Sequence, residues 1–518
     1  MTASDDATTF AQVWERSVEA HSDEIFLIFE GPDGRTVQWT YGDFDGLVAR
    51  TAGLLAGKGV TPGDCVHVAL ANCPAFVAVW LASVRLGAWF VPSDPMGGVD
   101  ELAGHIARTR PMVGFCASTR AEVYRKACGS IGVVEIDEAA VDLDVMGTDP
   151  FDAWPVPGPT DRAAVMFTSG TTGMPKGVEV TQANYAFTGQ TMAEAAELGA
   201  TDRQLVVLPL FHANAQYYSF APAVWVGGSV ALMSSFSASR FLTQAARHEA
   251  TAASLFAAPI RMILSRGGPV EGLQLRHCWF AQNITQDQYG TVTEWFGCQP
   301  RQLYGMTETI PAVLTDEADQ PDPSSMGRVT DRCLVDVQHP DGTTVAPGEV
   351  GEIVVGGEPG TTLFAGYLDD EETTASTFRD GWFLTGDRAT RDATGRHFFD
   401  GRRSDVLKVA GENVSIVEVE AVIAGHPAVL EAAVVGCPDA IRDEVPVAFV
   451  VPDPAGPLPS AEDIATWCEQ RLTKAKRPRS IVFLDELPRT SVGKIRKFLL
   501  TQQEGVDEHS DRRAIDFV

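Results

Sequence analysis

Residues Thr168-Ser169-Gly170-Thr171-Thr172-Gly173-Met174-Pro175-Lys176-Gly177-Val178 bring together three glycines, four hydroxyls and one ammonium. Glycines permit positive φ and close approach of main-chain N–H groups, and hydroxyls and a cation suit anionic oxygens, so the stretch reads as a cradle for nucleotide phosphates. It does not fit Gly-x4-Gly-Lys-Ser/Thr, because Lys176 follows Pro175 and precedes Gly177, and a P-loop NTPase fails on its own spacing. A solvated Gly/Thr-rich turn is the alternative; the density of the pattern, directly after the apolar run 163–167, opposes it.

Four further motifs follow in order: Tyr304-Gly305-Met306-Thr307-Glu308-Thr309, Gly381-Trp382-Phe383-Leu384-Thr385-Gly386-Asp387, Gly401-Arg402-Arg403, and Pro488-Arg489-Thr490-Ser491-Val492-Gly493-Lys494. With the glycine-rich stretch, this series resembles the adenylate-forming superfamily of acyl- and aryl-CoA ligases, peptide-synthetase adenylation domains and luciferases. The resemblance spans about residues 10 to 500. Within the superfamily the chain looks closest to the crotonobetaine/carnitine-CoA ligase branch, on Gly411-Glu412-Asn413-Val414-Ser415, Ile441-Arg442-Asp443-Glu444 and the segment from His212 to Gln216.

Adenylation needs an aromatic face for adenine, a hydroxyl near the α-phosphate and a carboxylate for Mg²⁺. The resemblance gives those roles to Tyr304, Thr307 and Glu308; alone, the pattern is weak, and a surface glutamate is its plain alternative. Thr168, Ser169, Gly170, Thr171, Thr172 and Gly173 would hold the phosphates, with Lys176 at the β- and γ-phosphates. Asp387 would accept from the ribose hydroxyls, assisted by Arg402; a turn-stabilising aspartate and a surface arginine are the alternatives, and only the motif register favours Arg402 over Arg403. Lys494 would bridge the carboxylate and the α-phosphate, where an ammonium offsets charge gathering on non-bridging oxygens.

For the second half-reaction the resemblance implies rotation of a small C-terminal domain, so that Lys494 leaves and the Lys408 face, with Gly411, lines a path for the pantetheine of CoA. The hinge departs from the family pattern: Ser404 stands where many relatives carry Asp or Lys. Lys474, Lys476, Arg477 and Arg479 suit either the CoA 3′-phosphate or a solvated helix end. The acyl pocket is expected at His212, Gln216, the 281–283 strand end with Gln282 and Asn283, and Gly305, Met306 and Ile310. Two amides at Gln282-Asn283, where the family often has small residues, imply polar demands in the pocket. His212 reads as a gate between acyl group and thiol or as a satisfied core histidine.

These residues need rigid elements behind them. Thr40 and Asp43 open a helical pattern that ends near Gly57 and Gly59, followed by a strand at 65–70, a helix at 74–86 and a strand at 89–91. Strand patterns return at 204–208, 229–233 and 252–257, so the alternation argues for α/β layers with largely parallel sheets. From 351 to 399 the pattern changes to short strands and turns, a small barrel-like part. Beyond it come a helix at 417–424, strands at 430–435 and 447–451, a helix at 460–472 and a strand at 481–483. The expected organisation is a large multi-layer α/β domain over 1–401, a hinge at 402–404, a small mobile α+β domain over 405–501 and a polar tail over 502–518.

Bulk properties narrow the class. At 518 residues, 45% hydrophobic, with a formal charge of −29, the chain is expected to be a soluble globular protein that does not bind nucleic acid or insert in a membrane. The nine cysteines show no C-x-x-C pair, so neither a disulfide framework nor a zinc site is expected. The acidic, non-apolar start over 1–6 points to cytoplasmic residence. The expected activity is ATP- and Mg²⁺-dependent conversion of a small or medium carboxylic acid to acyl-adenylate and pyrophosphate, then transfer to CoA. Competing readings are adenylation for a carrier protein, activation of nitrite to diazotise an aromatic amine, and a non-catalytic nucleotide-binding regulator; an oligomer is compatible with each.

Overall fold

The computed structural model describes residues 8–140, 143–168, 175–402, 406–409, 412–439, 443–454, 456–489 and 495–500. The contacts divide the chain into two compact units, 1–335 with 355–383, and 336–354 with 384–518.

Two sheets build the first unit. One runs in the order Arg328–Val329, Leu314–Thr315, Arg301–Tyr304, His277–Ala281, Ala252–Phe256, Arg203–Val206, Ser229–Met233, Ile25–Glu30, Thr36–Thr40, and its six central strands are parallel. The other runs Gly366–Tyr367, Lys176–Thr181, Arg162–Thr168, Trp89–Pro92, Cys65–Ala69, Val113–Ala117, Gly132–Ile136, parallel except for the first two pairings, which are antiparallel. The expected α/β layering is present.

Local chemistry sets the helices. Thr40 and Asp43 form a reciprocal capping box at the start of Tyr41–Gly57, and Thr181 does the same with Asn184 for Gln182–Ala195. Pro74 opens Pro74–Arg85, where its missing N–H costs no bond, and every residue of that helix is buried. No described helix is long and apolar enough to cross a membrane.

The 351–399 region, expected as barrel-like, is a five-stranded sheet of Leu334–Gln338, Val350–Gly356, Trp382–Arg391, Phe378–Arg379 and His397–Arg402, and the chain passes between the units within its strands. Further on in the second unit, Val429–Asp439 and Asp443–Pro452 pair antiparallel, Ser480–Phe483 joins in parallel, and helices Ile416–Ala424 and Ala461–Glu469 close a core that includes Val434, Ala448, Ile464 and Ile481. These are the elements the pattern of 417–483 foretells, with both long strands extending further than expected.

Candidate active site

Strands Arg162–Thr168 and Lys176–Thr181 form an antiparallel hairpin whose last register pair is Thr168 with Lys176. The glycine-rich stretch is therefore the connection of a hairpin. Ser169, Gly170, Thr171, Thr172 and Gly173 lie outside the described residues, while Thr168, Pro175 and Lys176 lie within them.

Lys176 Nζ sits 4.6 Å from the ring centroid of Tyr367, and Tyr367 Oη donates to Glu308 Oε1 at 3.0 Å. Tyr367 reaches this position because Gly366–Tyr367 pairs with the second hairpin strand, placing Tyr367 opposite Val178. Burial first, and then the charge of Glu308, push the phenol well above its usual pKa, so it is a neutral donor. The Glu308 carbonyl accepts from Phe364 N at 3.0 Å, and the residue is 4% exposed, which removes the surface-glutamate alternative. Sequence reasoning missed Tyr367. Its only signal is a Gly-Tyr dipeptide after the apolar Leu363-Phe364-Ala365.

The loop carrying Glu308 leaves strand Arg301–Tyr304 and is held by Thr309, whose Oγ1 accepts from Met306 N at 3.0 Å and donates to Pro311 O at 2.9 Å. At Gly305, a Cβ would lie 2.9 Å from Ala312 Cα, Pro311 O and Tyr218 Oη, so only glycine fits without displacing backbone. Tyr304, Met306 and Thr307 keep partial exposure, as residues meeting a ligand should. Ile310, expected in the acyl pocket, is fully buried and offers it no surface.

Two other pocket residues differ from expectation. Gln216 spends its amide inside the protein: Oε1 accepts from Tyr185 Oη and Nε2 donates to Leu210 O at 2.6 Å, so its polarity belongs to the scaffold. Gln282 and Asn283 are exposed, with Gln282 at φ 73° and Asn283 Oδ1 accepting from buried Gln302 Nε2 at 3.0 Å. Exposed amides are solvated and impose no burial cost, so these two place no polar demand on the pocket. His212 keeps part of its surface, yet its Nε2 is buried without a partner. Burial lowers its pKa to about 4 against the opposing charge of Asp94, leaving a neutral ring. A satisfied core histidine would have that nitrogen bonded.

In the second unit, Asp387 lies opposite Arg402 in the ladder of Trp382–Arg391 and His397–Arg402. Thr385 stabilises the preceding turn, accepting from Asp387 N at 3.1 Å and donating to Ile353 O at 2.7 Å, while Gly386 N donates to Glu352 Oε1 at 3.0 Å. Thr385 and Glu352 both stabilise this turn. Lys476 donates to both carboxylate oxygens of Glu418, at 2.7 and 2.6 Å, and Arg477 pairs with Glu469, so these two cations are engaged within their own unit. Lys494, Gly411, Arg403, Ser404, Ile441 and Arg442 lie outside the described residues; Lys408 is described only as backbone, in a strand facing Asn413.

Among the described residues no group of three His, Cys, Asp or Glu side chains is placed to hold a metal ion. Mg²⁺ is commonly held by one or two carboxylates plus substrate phosphates, and the buried carboxylate of Glu308, which shares Tyr367 with Lys176, fits that pattern.

The AMP-binding enzyme model matches residues 14–368, and the model of the AMP-binding enzyme C-terminal domain matches 418–494. The chain belongs to the AMP-binding enzyme family. It is 32% identical over 504 residues to a crotonobetaine/carnitine–CoA ligase of Salmonella arizonae, covering 94% of this chain and 97% of that protein. Among solved structures it is similar to the anthranilate CoA ligase AuaEII in complex with anthranoyl-AMP, with TM-score 0.85 and 26% identity over 97% of this chain and 98% of that one. ATP-bound MatB from Rhodopseudomonas palustris gives TM-score 0.84 and 25% identity over 95% and 98%. This member of the family is an adenylate-forming enzyme of the acyl-CoA synthetase kind.

Proposed function

We propose that this enzyme activates a small or medium carboxylic acid and passes it to CoA. The acid's oxygen attacks the α-phosphorus of ATP, the bond to the β-phosphate breaks and pyrophosphate leaves. The CoA thiol then attacks the acyl carbon, the acyl–phosphate bond breaks, AMP leaves and the thiol proton passes to solvent. The observation that carries the reading is the meeting of Lys176 and Glu308 on Tyr367 beside the hairpin connection.

The proposed division of labour is electrostatic. Lys176 and the hairpin connection hold the β- and γ-phosphates; Tyr304 faces adenine, Thr307 the α-phosphate, and Asp387 with Arg402 the ribose. Glu308 would hold Mg²⁺, which would supply positive charge to offset that on the phosphate oxygens. Tyr367 fixes the Glu308 carboxylate. Lys494 completes the first half-reaction; Lys408 and Gly411 line the thiol path in the second after the small domain turns. His212 stands at the acyl side as a neutral ring. The setting proposed is the cytoplasm.

The test is pyrophosphate release across aliphatic acids, aromatic acids and nitrite, with and without CoA. Thioester formation from at least one acid is expected. Release with nitrite and an aromatic amine, and no thioester from any acid, would replace the proposal by diazotisation; acyl transfer to a carrier protein but not to CoA would change the acceptor.

A further inference from the structure

Helix Val99–Thr109 carries none of the sequence motifs, yet one of its side chains reaches three points around the hairpin connection. Arg108 Nη1 donates to Pro175 O at 2.6 Å and Nη2 to Leu368 O at 3.3 Å, and its guanidinium carbon lies 5.1 Å from the centroid of Phe167. Phe167 stands just before the end of the first hairpin strand, Pro175 just before the start of the second, and Leu368 directly after Tyr367. One planar fork therefore spans both flanks of the connection and the residue next to the Glu308 partner. Two donors fixed on one rigid plane suit that task better than a lysine's compact ammonium.

The platform beneath Arg108 is equally ordered. One turn back on the same helix, His105 stacks face to face on Phe167, with centroids 4.0 Å apart and planes 4° from parallel. Ser93 Oγ lies 2.9 Å from His105 Nδ1 and 3.0 Å from His67 Nε2, and His67 Nδ1 lies 2.7 Å from Tyr124 Oη. All four groups are buried. A neutral imidazole has one donor and one acceptor and a hydroxyl donates once, so the chain Tyr124–His67–Ser93–His105 is satisfied when its bonds all run in one direction. It fixes the plane of His105, and through the stack the plane of Phe167. Such a buried network, complete in its partners, is rigid.

We propose that Arg108 is a positioning residue for ATP: with Phe167 set on His105, it holds the flanks of the hairpin connection and Leu368 so that Lys176 meets the β- and γ-phosphates in register while Tyr367 keeps its hold on Glu308. The inference rests on the phosphate-binding reading of that connection. Arg108 touches main-chain carbonyls rather than reacting atoms, and its effect belongs to ATP alone.

The experiment measures KM for ATP, the acid and CoA, together with melting temperature, on the full chain carrying Arg108→Ala, Arg108→Lys, Phe167→Leu or Lys176→Ala. Arg108→Ala is expected to raise KM for ATP on the order of tenfold, about what one lost charge-assisted hydrogen bond gives, with KM for acid and CoA unmoved. Arg108→Lys should restore only part of the loss, and Phe167→Leu, which keeps the arginine and removes its platform, should raise the same constant by less. An unchanged KM for ATP in Arg108→Ala while Lys176→Ala raises it would overturn the positioning role alone. If Arg108→Ala does not fold, an unchanged KM for ATP in both Arg108→Lys and Phe167→Leu does the same. An unchanged KM for ATP in Lys176→Ala would instead remove the phosphate reading beneath it.

Discussion

Arg402 Nε donates to Asp387 Oδ1 at 2.8 Å, joining the two residues expected at the ribose into an ion pair across one strand ladder. The carboxylate is almost fully buried and the guanidinium is 42% exposed, so the arginine holds the acceptor in place while facing outward. Asp387→Ala should weaken ATP binding by roughly 10- to 100-fold, the range for hydrogen bonds to a charged acceptor. Arg402→Ala should have a smaller effect, because it removes the support and leaves the acceptor. ATP titration of both variants checks the order; equal affinity in Asp387→Ala and the parent would leave Asp387 no ribose role.

Lys494→Ala should abolish pyrophosphate release while leaving conversion of supplied acyl-AMP and CoA largely intact, since the ammonium offsets charge only as the adenylate forms. The two half-reactions are measured separately. Equal loss in both would contradict the division of labour.

Lys408→Ala and Gly411→Trp should spare adenylate formation and block thioester formation, with acyl-AMP accumulating in a single turnover. Quantifying AMP, adenylate and thioester decides it. Normal thioester yield from Gly411→Trp would take that residue off the thiol path.

Gly305→Ala puts a methyl 2.9 Å from Ala312 Cα and Pro311 O, where backbone must move. Overpacking of this kind costs about 1 to 3 kcal/mol, and the movement is transmitted to the loop bearing Thr307 and Glu308. A lower urea midpoint together with reduced adenylation is expected; parent-like stability and rate would show that the loop yields freely.

Four imidazoles whose pKa values burial lowers contribute to the acid response. Burial lowers the pKa of His67 to about 3 and of His105 to about 4, with His105 and Arg108 respectively adding to the shift; His212 falls to about 4 and His277 well below the usual value. Each folded value lies below the free value of 6.5, so the unfolded chain binds protons the folded chain refuses. Their stabilisation is complete above pH 6.5 and is lost as pH falls from there towards the folded values, at about 1.4 kcal/mol per pH unit for each ring. Glu138, Glu179 and Asp400, raised by burial, act in the opposite sense above the ordinary carboxylate range and offset part of this loss. Urea unfolding at pH 7.5, 6.5 and 5.5 should show falling stability; a flat profile would contradict the assignment.

Much of this was legible in the sequence because it is local. Thr40 with Asp43, the alternation of strand and helix, and the motif registers of Tyr304, Glu308, Asp387 and Arg402 each depend on neighbours a few residues away. What escaped depends on distant partners. Tyr367 joins Lys176 and Glu308 only because a two-residue strand adds to the hairpin edge. Gln216 looks like a pocket amide until Tyr185 and Leu210 are seen to occupy it, and Gln282 and Asn283 differ from a polar pocket by exposure, which no spacing records. Arg108 belongs to no motif at all.

Strand Gly366–Tyr367 lies at the far edge of its sheet, paired to Lys176–Thr181, which precedes it by almost two hundred residues. A ribosome releases the chain from the N-terminus, so the hairpin is complete long before its edge partner emerges. Until then Lys176–Thr181 presents unpaired backbone groups, the kind of surface that recruits foreign strands. The nascent hairpin thus keeps this edge open to misassociation while residues 182–365 are being made, and the same late event that covers part of it delivers the tyrosine that unites lysine and glutamate.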